Sequence, residues 1–416
     1  MVAPAPESPT HAPSVAVIGA GASGLMAALF AAWQGAAVTL FERNNSLGRK
    51  LLITGSGRCN LTNAAVAPAA YACADPSWLE ALFRIFGRSH LLETLERIGV
   101  PTRATHDGWY YPLSESAQSV VAAFSAALDA AGVTRQMASP VSSLERRDDR
   151  WLVTFTSGGT GHSWSFDRVI LAAGGKAMPN LGSRGELFAE LARLGHTVLP
   201  LRPALAPLLV DLVRIKPLQG LHFDVAASLF AGGELLGRTT GNLIVTAWGL
   251  NGPAVMDLSH LVSARPGARL MLALDFLAPF QQQYDRLLQL RGSTSLPVGV
   301  LLGAFFPPKA ALTFARNAGL PDQAPLNQLS PARLAGLTRR LNDTRLLVQG
   351  VREWDYCQLS AGGVPVTEVD PATMASLRLP GLYLTGETLD VVGPCGGFNL
   401  QFAFSSGAVA GGAAAR

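Results

Sequence analysis

Apolar and polar positions first settle into a regular pattern at Val15, where Val15-Ala16-Val17-Ile18 forms a short continuous apolar run. A six-residue glycine turn, Gly19-Ala20-Gly21-Ala22-Ser23-Gly24, follows it directly, and Leu25 to Trp33 then reads as a helix ended by Gly35. Val38 to Phe41 is a second apolar run, closed by Glu42. Short apolar runs on either side of a helix predict two buried parallel strands and their crossover. Further on, Trp78 to Ile98 predicts a helical stretch on Leu79, Leu82, Phe83, Phe86, Leu91, Leu92 and Leu95, stopped by Gly99 and Pro101. Gly108 to Pro112 is an aromatic strand or turn, and Ser114 or Ser116 caps a helix that runs to Ala131. Strands are predicted at 133–137, 141–144, 151–156 and 163–166, with a hairpin turn at 157–161. Another buried strand, Arg168 to Ala172, ends in Ala173-Gly174-Gly175.

The character changes beyond Leu199. Residues 201–260 carry short alternating runs at 207–210, 225–230 and 243–246, with a Gly232-Gly233 turn, and residues 280–345 read as helices interrupted at Pro297, Pro307-Pro308 and Pro331. Residues 201–355 are therefore expected to form an inserted β-rich and helical domain. The chain then returns to α/β character. Gly381 to Gly386 is a buried strand, Val391 to Phe398 a glycine loop, and Asn399 to Ala410 a small-residue helix. The expected division is a tail at 1–13, a discontinuous α/β domain at 14–200 and 356–416, and the insert between its parts.

The opening unit carries the first candidate chemistry. Gly19 permits a tight turn, Gly21 lets the backbone approach a pyrophosphate, and Gly24 lets the helix lie close on the sheet. The helix N-terminus offers unpaired N–H groups and partial positive charge to phosphates. Glu42 lies 18 residues beyond Gly24, near the spacing at which an acid accepts hydrogen bonds from a ribose. Its charge would repel a 2′-phosphate, so FAD or NAD fits better than NADP. Residues 44–63 are rich in glycine, amides and arginine, and they read as a loop over the dinucleotide. The small-residue helix after Gly397 would aim its N-terminus at an electron-rich group, such as the pyrimidine edge of a flavin.

Composition narrows the classes. Hydrophobic residues are 49% of 416, ample for two cores, and mean hydropathy is +0.26. No run of about 18 apolar residues occurs, so no membrane span is expected. Residues 1–13 lack a basic start and an apolar core, which reads as a disordered tail and not a signal peptide. The net charge of +4 comes without a long basic block, so nucleic-acid binding is compatible with the charge but otherwise unsupported. Cys59, Cys73, Cys357 and Cys395 form no Cys-x-x-Cys pair and suit a reducing cytoplasm. No His spacing suggests a metal, and neither a Gly-x-Ser-x-Gly elbow nor a P-loop is present. His106-Asp107 reads as a surface pair, and Cys395 as a space-filling residue beside the expected flavin. No second Gly-x-Gly-x-x-Gly follows a strand, so a separate nicotinamide domain is not expected.

Three separated segments carry a resemblance: GRKLLITGSGRCNLTN at 48–63, AAGGKAMPNLGSRG at 172–185, and the long stretch 360–411 ending in GETLDVVGPCGGFNLQFAFSSGAVAG. Together they resemble the bacterial BaiN-like, aminoacetone-oxidase-type flavoproteins, a family of NAD(P)/FAD-dependent oxidoreductases. The resemblance implies an α/β fold, a two-dinucleotide-type FAD-binding Rossmann domain with an inserted β-barrel and helical domain. It implies that Gly19, Ala20, Gly21, Ala22, Ser23, Gly24, Glu42 and Arg43 hold the ADP half. Val141 matches the position whose backbone meets adenine. Arg49, Lys50, Leu51, Arg58, Cys59 and Asn60 match the flavin-side loop, and Ala173 and Gly174 let the chain pass the cofactor. Gly386, Glu387 and Asp390 match the strand end near the ribityl chain, and Gly396, Gly397, Phe398, Asn399 and Leu400 the loop beside the ring. Arg184, Cys395 and Phe398 depart from the family's usual residues, which bears on the substrate. The expected chemistry is hydride exchange between flavin N5 and a small organic substrate in a cleft between the domains, with NAD(P)H as a transient donor. The alternatives are an oxygen-using amine oxidase, an RNA-modifying flavoenzyme and a non-catalytic flavin carrier. No catalytic acid or base is assigned.

Overall fold

The computed structural model describes residues 12–290 and 295–416. The expected tail at residues 1–13 lies outside them as far as residue 11. The described chain divides into two compact units, 1–202 with 359–416, and 203–358.

The first unit is built on a five-stranded parallel sheet. Its order is Leu382–Leu384, Arg168–Leu171, Ser14–Ile18, Ala37–Phe41, Thr134–Gln136. The opening strand is central. The chain moves outward on one side to Thr134–Gln136 and resumes on the other with Arg168–Leu171. The direction of winding therefore reverses beside the opening strand, the place where open α/β sheets leave a crevice at their strand tips. Val15, Val17, Leu40, Ile170 and Leu384 are fully buried, as expected for strands covered on both faces. On one face the helix Ala22–Trp33 packs against the closing helix Phe398–Ala414. Gly407 and Gly411, four residues apart, sit over the backbones of Ser23 and Ala27, so two turns of the closing helix lie directly on the first helix.

Two local expectations change. The stretch Trp78 to Ile98 is two helices, Pro76–Ile85 and Arg88–Arg97. The break falls at Gly87, where a Cβ would lie 2.7 Å from the Phe83 carbonyl oxygen, so the apolar period alone did not show the bend. Residues 44–63, expected as a loop, contain a short helix, Arg49–Ile53, and a 3-10 turn, Thr54–Gly57. Leu51 is buried there and ties the segment to the core.

A polar cluster around buried His196 and Glu368 lies within this unit. His196 Nδ1 lies 2.7 Å from Glu368 Oε2, and Arg378 Nη2 donates to Glu368 Oε1 at 2.7 Å. Ser376 Oγ is 2.9 Å from His196 Nε2 but also accepts from the N–H groups of Arg378 and Leu379, which fixes it as a turn residue. Burial works to raise the Glu368 carboxyl, but hydrogen bonds from Arg378, Thr197 and His196 outweigh it and hold the pKa at about 2. Burial holds His196 below its ordinary value, with only partial compensation from Glu368. Both shifts act in one direction. The unfolded chain binds protons more readily at each group, so stability is full at neutral pH. It is lost as pH falls, first below the ordinary histidine value and then from the ordinary carboxyl value of 4.5 down to about 2. We expect Glu368 to account for about 3 kcal/mol of this acid sensitivity. In thermal melts against pH, Glu368→Gln should lower the midpoint at pH 7 and flatten the limb below pH 4.5. An unchanged acid limb in the variant would refute the assignment.

The second unit contains the closed barrel that the family resemblance implied. Its strands follow the order Leu208–Val210, Leu250–Asn251, Glu234–Val245, His222–Ala231, Leu270–Asp275, Thr344–Val351. Phe223, Phe276, Phe306 and Phe314 pack between barrel and helices. No helix among the described residues is long and apolar enough to cross a membrane.

Candidate cofactor site

The turn after the opening strand is shaped by three glycines with different surroundings. Gly19 takes φ +103°, and a Cβ there would strike the Ala172 carbonyl. A Cβ at Gly24 would strike the carbonyl of Gly19. Gly21 is different: it is extended at φ −79°, and a Cβ there would meet nothing within 4 Å. Two of the glycines thus serve the packing of turn, helix and sheet, while the third faces open space. Gly21 caps the helix Ala22–Trp33 with no side-chain hydrogen bond, and the first turn holds no acid. Its first N–H groups therefore lack intrahelical partners and carry partial positive charge. Ser23 is buried, with its Oγ facing Gly386.

Glu42 sits at the tip of the neighbouring strand. Its Oε2 accepts from Ala20 N at 2.9 Å, and its Oε1 accepts from the backbone and side-chain nitrogens of Asn44 at 2.9 and 2.6 Å. A carboxylate has further lone pairs, so these bonds orient it without saturating it. Arg49 Nη1 donates to Asn44 Oδ1 at 2.7 Å. The Ala138 and Ser139 N–H groups bind the Asn44 and Glu42 carbonyls, bringing the chain before Val141 alongside. A depression of about 500 Å³ is lined here by Arg43, Asn44, Asn45, Ser46, Arg49 and Ala138. Val141 opens the adjoining strand Val141–Arg147 and is half-buried. Arg43 is held sideways, by Glu186 at 2.6 Å and the Gly182 carbonyl at 2.9 Å. Asn44 was not singled out from the sequence, although its place two residues past the acid is the available signal.

The remaining candidates gather from distant segments. Lys50 Nζ pairs with Glu387 Oε2 at 2.6 Å, and Glu387 Oε1 accepts from Ser360 N at 2.7 Å. Ser360 Oγ in turn accepts from Lys176 N and Ala177 N, just past Ala173 and Gly174. Ser360 was likewise not singled out, since nothing local marks it. Asp390 Oδ1 is engaged by Gly362 N at 2.6 Å. Arg58 lies over the Tyr111 ring at 4.6 Å. Cys59 takes φ +64° and is fully buried. Burial pushes its thiol up to about 12, against a small opposing effect of Thr54, so it stays protonated at neutral pH.

Asn60 is 6% exposed, and its Oδ1 has no hydrogen-bond partner. That oxygen would be 2.8 Å from a Cβ at Gly397, which has φ +96° and caps the closing helix without a side-chain bond or an acid in its first turn. Nearby, Asn399 exchanges hydrogen bonds of 2.8 Å with both backbone groups of Gly393, and Tyr71 Oη donates to the Phe398 carbonyl. Gly396 takes φ +107°, and Leu400 is half-buried. None of the four cysteines forms a disulfide. His106 and Asp107 form an exposed pair at 2.8 Å. Among the described residues no group of three or more His, Cys, Asp or Glu is arranged to hold a metal ion.

The donor set fits FAD. One uncapped helix N-terminus faces open space at Gly21, as a pyrophosphate requires, and an acid stands at the tip of the next strand for a ribose. A buried carbonyl acceptor without a partner, Asn60 Oδ1, lies at the second uncapped helix N-terminus. That pairing of acceptor and donors matches the N–H and carbonyl edge of a flavin pyrimidine.

A family model described as the HI0933-like protein Rossmann domain matches residues 13–413. The chain is 33% identical over 408 residues to 3-dehydro-bile acid delta(4,6)-reductase of Clostridium scindens, covering 96% of this chain and 98% of the relative. It is 28% identical over 390 residues to ribosomal RNA dihydrouridine synthase of Escherichia coli, covering 94% and 95%. Among solved structures it resembles 3-ketosteroid delta1-dehydrogenase from Sterolibacterium denitrificans, with a TM-score of 0.52 at 12% identity over 97% and 99% of the two chains, a likeness of fold alone.

Proposed function

The chain belongs to the HI0933-like Rossmann-domain family of FAD-dependent oxidoreductases, and from that premise we propose that it is a reductase that saturates an activated double bond in a small organic substrate, drawing its electrons from NADH or NADPH. Bound FAD supplies the hydride chemistry. The residues of the chain hold and orient it: the first helix N-terminus neutralises phosphate charge, Glu42 accepts from the ribose, and the closing helix favours negative charge at the pyrimidine edge. Asn60 Oδ1 gives that edge a buried acceptor, and Lys50, Glu387 and Ser360 hold the three segments around it in fixed register.

The observation that carries the flavin part of this reading is the unpartnered Asn60 oxygen at the uncapped N-terminus of the closing helix. The direction of reaction is supported by the relative of Clostridium scindens, whose name is that of a reductase. A second reading, reduction of a base in RNA, is favoured by the ribosomal RNA dihydrouridine synthase of Escherichia coli, similar along 94% of this chain.

The test is an absorbance spectrum of the purified protein under anaerobic conditions, before and after NADH or NADPH. We expect a bound flavin whose visible absorption bleaches with one nucleotide and returns slowly in air. A flavin unmoved by either nucleotide would refute the nicotinamide-driven reductase and point to an oxidase. A salt-sensitive gel shift with ribosomal RNA at low salt would favour the second reading, and its absence would remove it.

A further inference from the structure

The barrel unit holds an arginine whose guanidinium bonds to no acceptor among the described residues. Arg352 follows the strand Thr344–Val351, and its N–H is fixed by the Pro207 carbonyl at 2.9 Å. Its Cζ lies 3.1 Å from the centroid of the Tyr356 ring and 4.3 Å from that of Trp248. Trp248 is carried on a tight turn between the strands Glu234–Val245 and Leu250–Asn251. That turn is closed by Thr246 N and Oγ1, both donating to the Gly249 carbonyl. Tyr356 stands on a second turn, closed by its own N–H to the Glu353 carbonyl at 2.9 Å. Two separately anchored segments, 246–249 and 352–356, thus converge on one guanidinium.

Among the described residues no oxygen accepts from that guanidinium and no carboxylate pairs with it; Glu353 and Asp355, on the same segment, are exposed and make no ion pair with it. The contrast within the unit is Arg345, also set over an aromatic ring, Phe230 at 5.6 Å, but bound through Nε to both oxygens of Asp343 at 3.0 and 2.9 Å. Aromatic rings hold a guanidinium by its charge and leave its N–H donors unsatisfied. The indole N–H of Trp248 and the hydroxyl of Tyr356 donate to no acceptor among the described residues. A pre-positioned planar fork of donors to which no side-chain acceptor is bonded is matched in charge and geometry by an oxyanion that accepts two parallel N–H bonds.

We propose that Arg352, seated against Trp248 and Tyr356, is an anchoring site for the oxyanion of an organic acid, a carboxylate or a phosphate monoester. The site is independent of the flavin reading, because it lies wholly within residues 203–358 and needs no redox step.

The experiment is isothermal titration of the full-length, flavin-loaded protein with two probes, benzoate and phenyl phosphate, repeated with Arg352→Gln, Arg352→Lys and Trp248→Leu. Charged hydrogen bonds of this kind predict a roughly ten- to hundredfold loss of affinity in Arg352→Gln. Arg352→Lys should recover little of it, because it keeps the charge and loses the fork. Trp248→Leu should weaken binding by a smaller factor. The probe bound more tightly names the source, carboxylate or phosphate. Binding of neither probe to the wild-type protein would overturn the proposal. So would binding unchanged in Arg352→Gln, or fully retained in Arg352→Lys. Circular dichroism of each variant guards against loss of fold, and the lysine variant carries the test if the glutamine variant fails to fold.

Discussion

Gly21→Val is expected to give a folded protein that purifies without its flavin. The backbone at Gly21 is already extended at φ −79°, a conformation that a β-branched residue adopts without strain, and a Cβ there meets nothing within 4 Å. The protein itself therefore has no objection to a side chain. A dinucleotide has, because the isopropyl group would project into the space at the uncapped helix N-terminus and keep a pyrophosphate from its N–H groups. We expect flavin affinity to fall at least a thousandfold, about 4 kcal/mol. Compared apo with apo, stability should fall by no more than about 1 kcal/mol, the usual cost of an apolar residue at a helix N-cap. Flavin absorbance per protein and an apo thermal melt check both halves. A yellow Gly21→Val protein would show that the pyrophosphate does not bind at this turn.

Gly407→Val should do the reverse and damage the fold directly. Gly407 lies in the closing helix with no left-handed backbone to strain, so the whole effect comes from packing. A Cβ would press on the backbone of Ser23, with the Ser23 carbonyl carbon at 3.0 Å, and Gly411 one turn on makes the same approach to Ala27. A valine forces the two helices apart along the line on which both rest against the sheet. Overpacking against backbone, which cannot rotate away, predicts a cost of at least about 3 kcal/mol. That corresponds to a fall in melting temperature of roughly 6–12 °C for a unit of this size. Flavin should be lost with it, since both uncapped helix N-termini belong to this pair. A variant that melts like the wild type would mean that the helices separate without cost, contrary to the packing described.

The two glycines make a useful pair because a motif marks one of them and nothing local marks the other. Gly19, Gly21 and Gly24 belong to one motif whose spacing already assigns turn, phosphate approach and helix packing, and the neighbours agree, with open space only at Gly21. Gly407 carries no motif at all, and its role is set by Ser23, far away along the chain.

What was legible in the sequence has a common cause. The opening strand, the glycine turn, its helix and the strand ending at Glu42 are contiguous, and their order and apolar period are fixed by interactions within about 30 residues. The parallel pairing of the first two strands was legible locally, whereas the closed barrel followed from resemblance, since long-range pairing leaves no local period. The errors were local in a different way. At Gly87 a helix pattern continued across a bend, and at Arg49–Ile53 glycines and cations hid a short helix anchored by Leu51.

By itself, then, the sequence determined a dinucleotide-type βαβ unit with an acid at its tip, an α/β chain resumed after an insert, and membership of a flavoprotein family. The tertiary structure alone decided which groups meet: Lys50 with Glu387, Asn60 with Gly397, and Arg352 with Trp248 and Tyr356. Periodicity reports how a residue faces its own element. Which partner it finds hundreds of residues away depends on how separate elements pack, and no window of sequence contains that information.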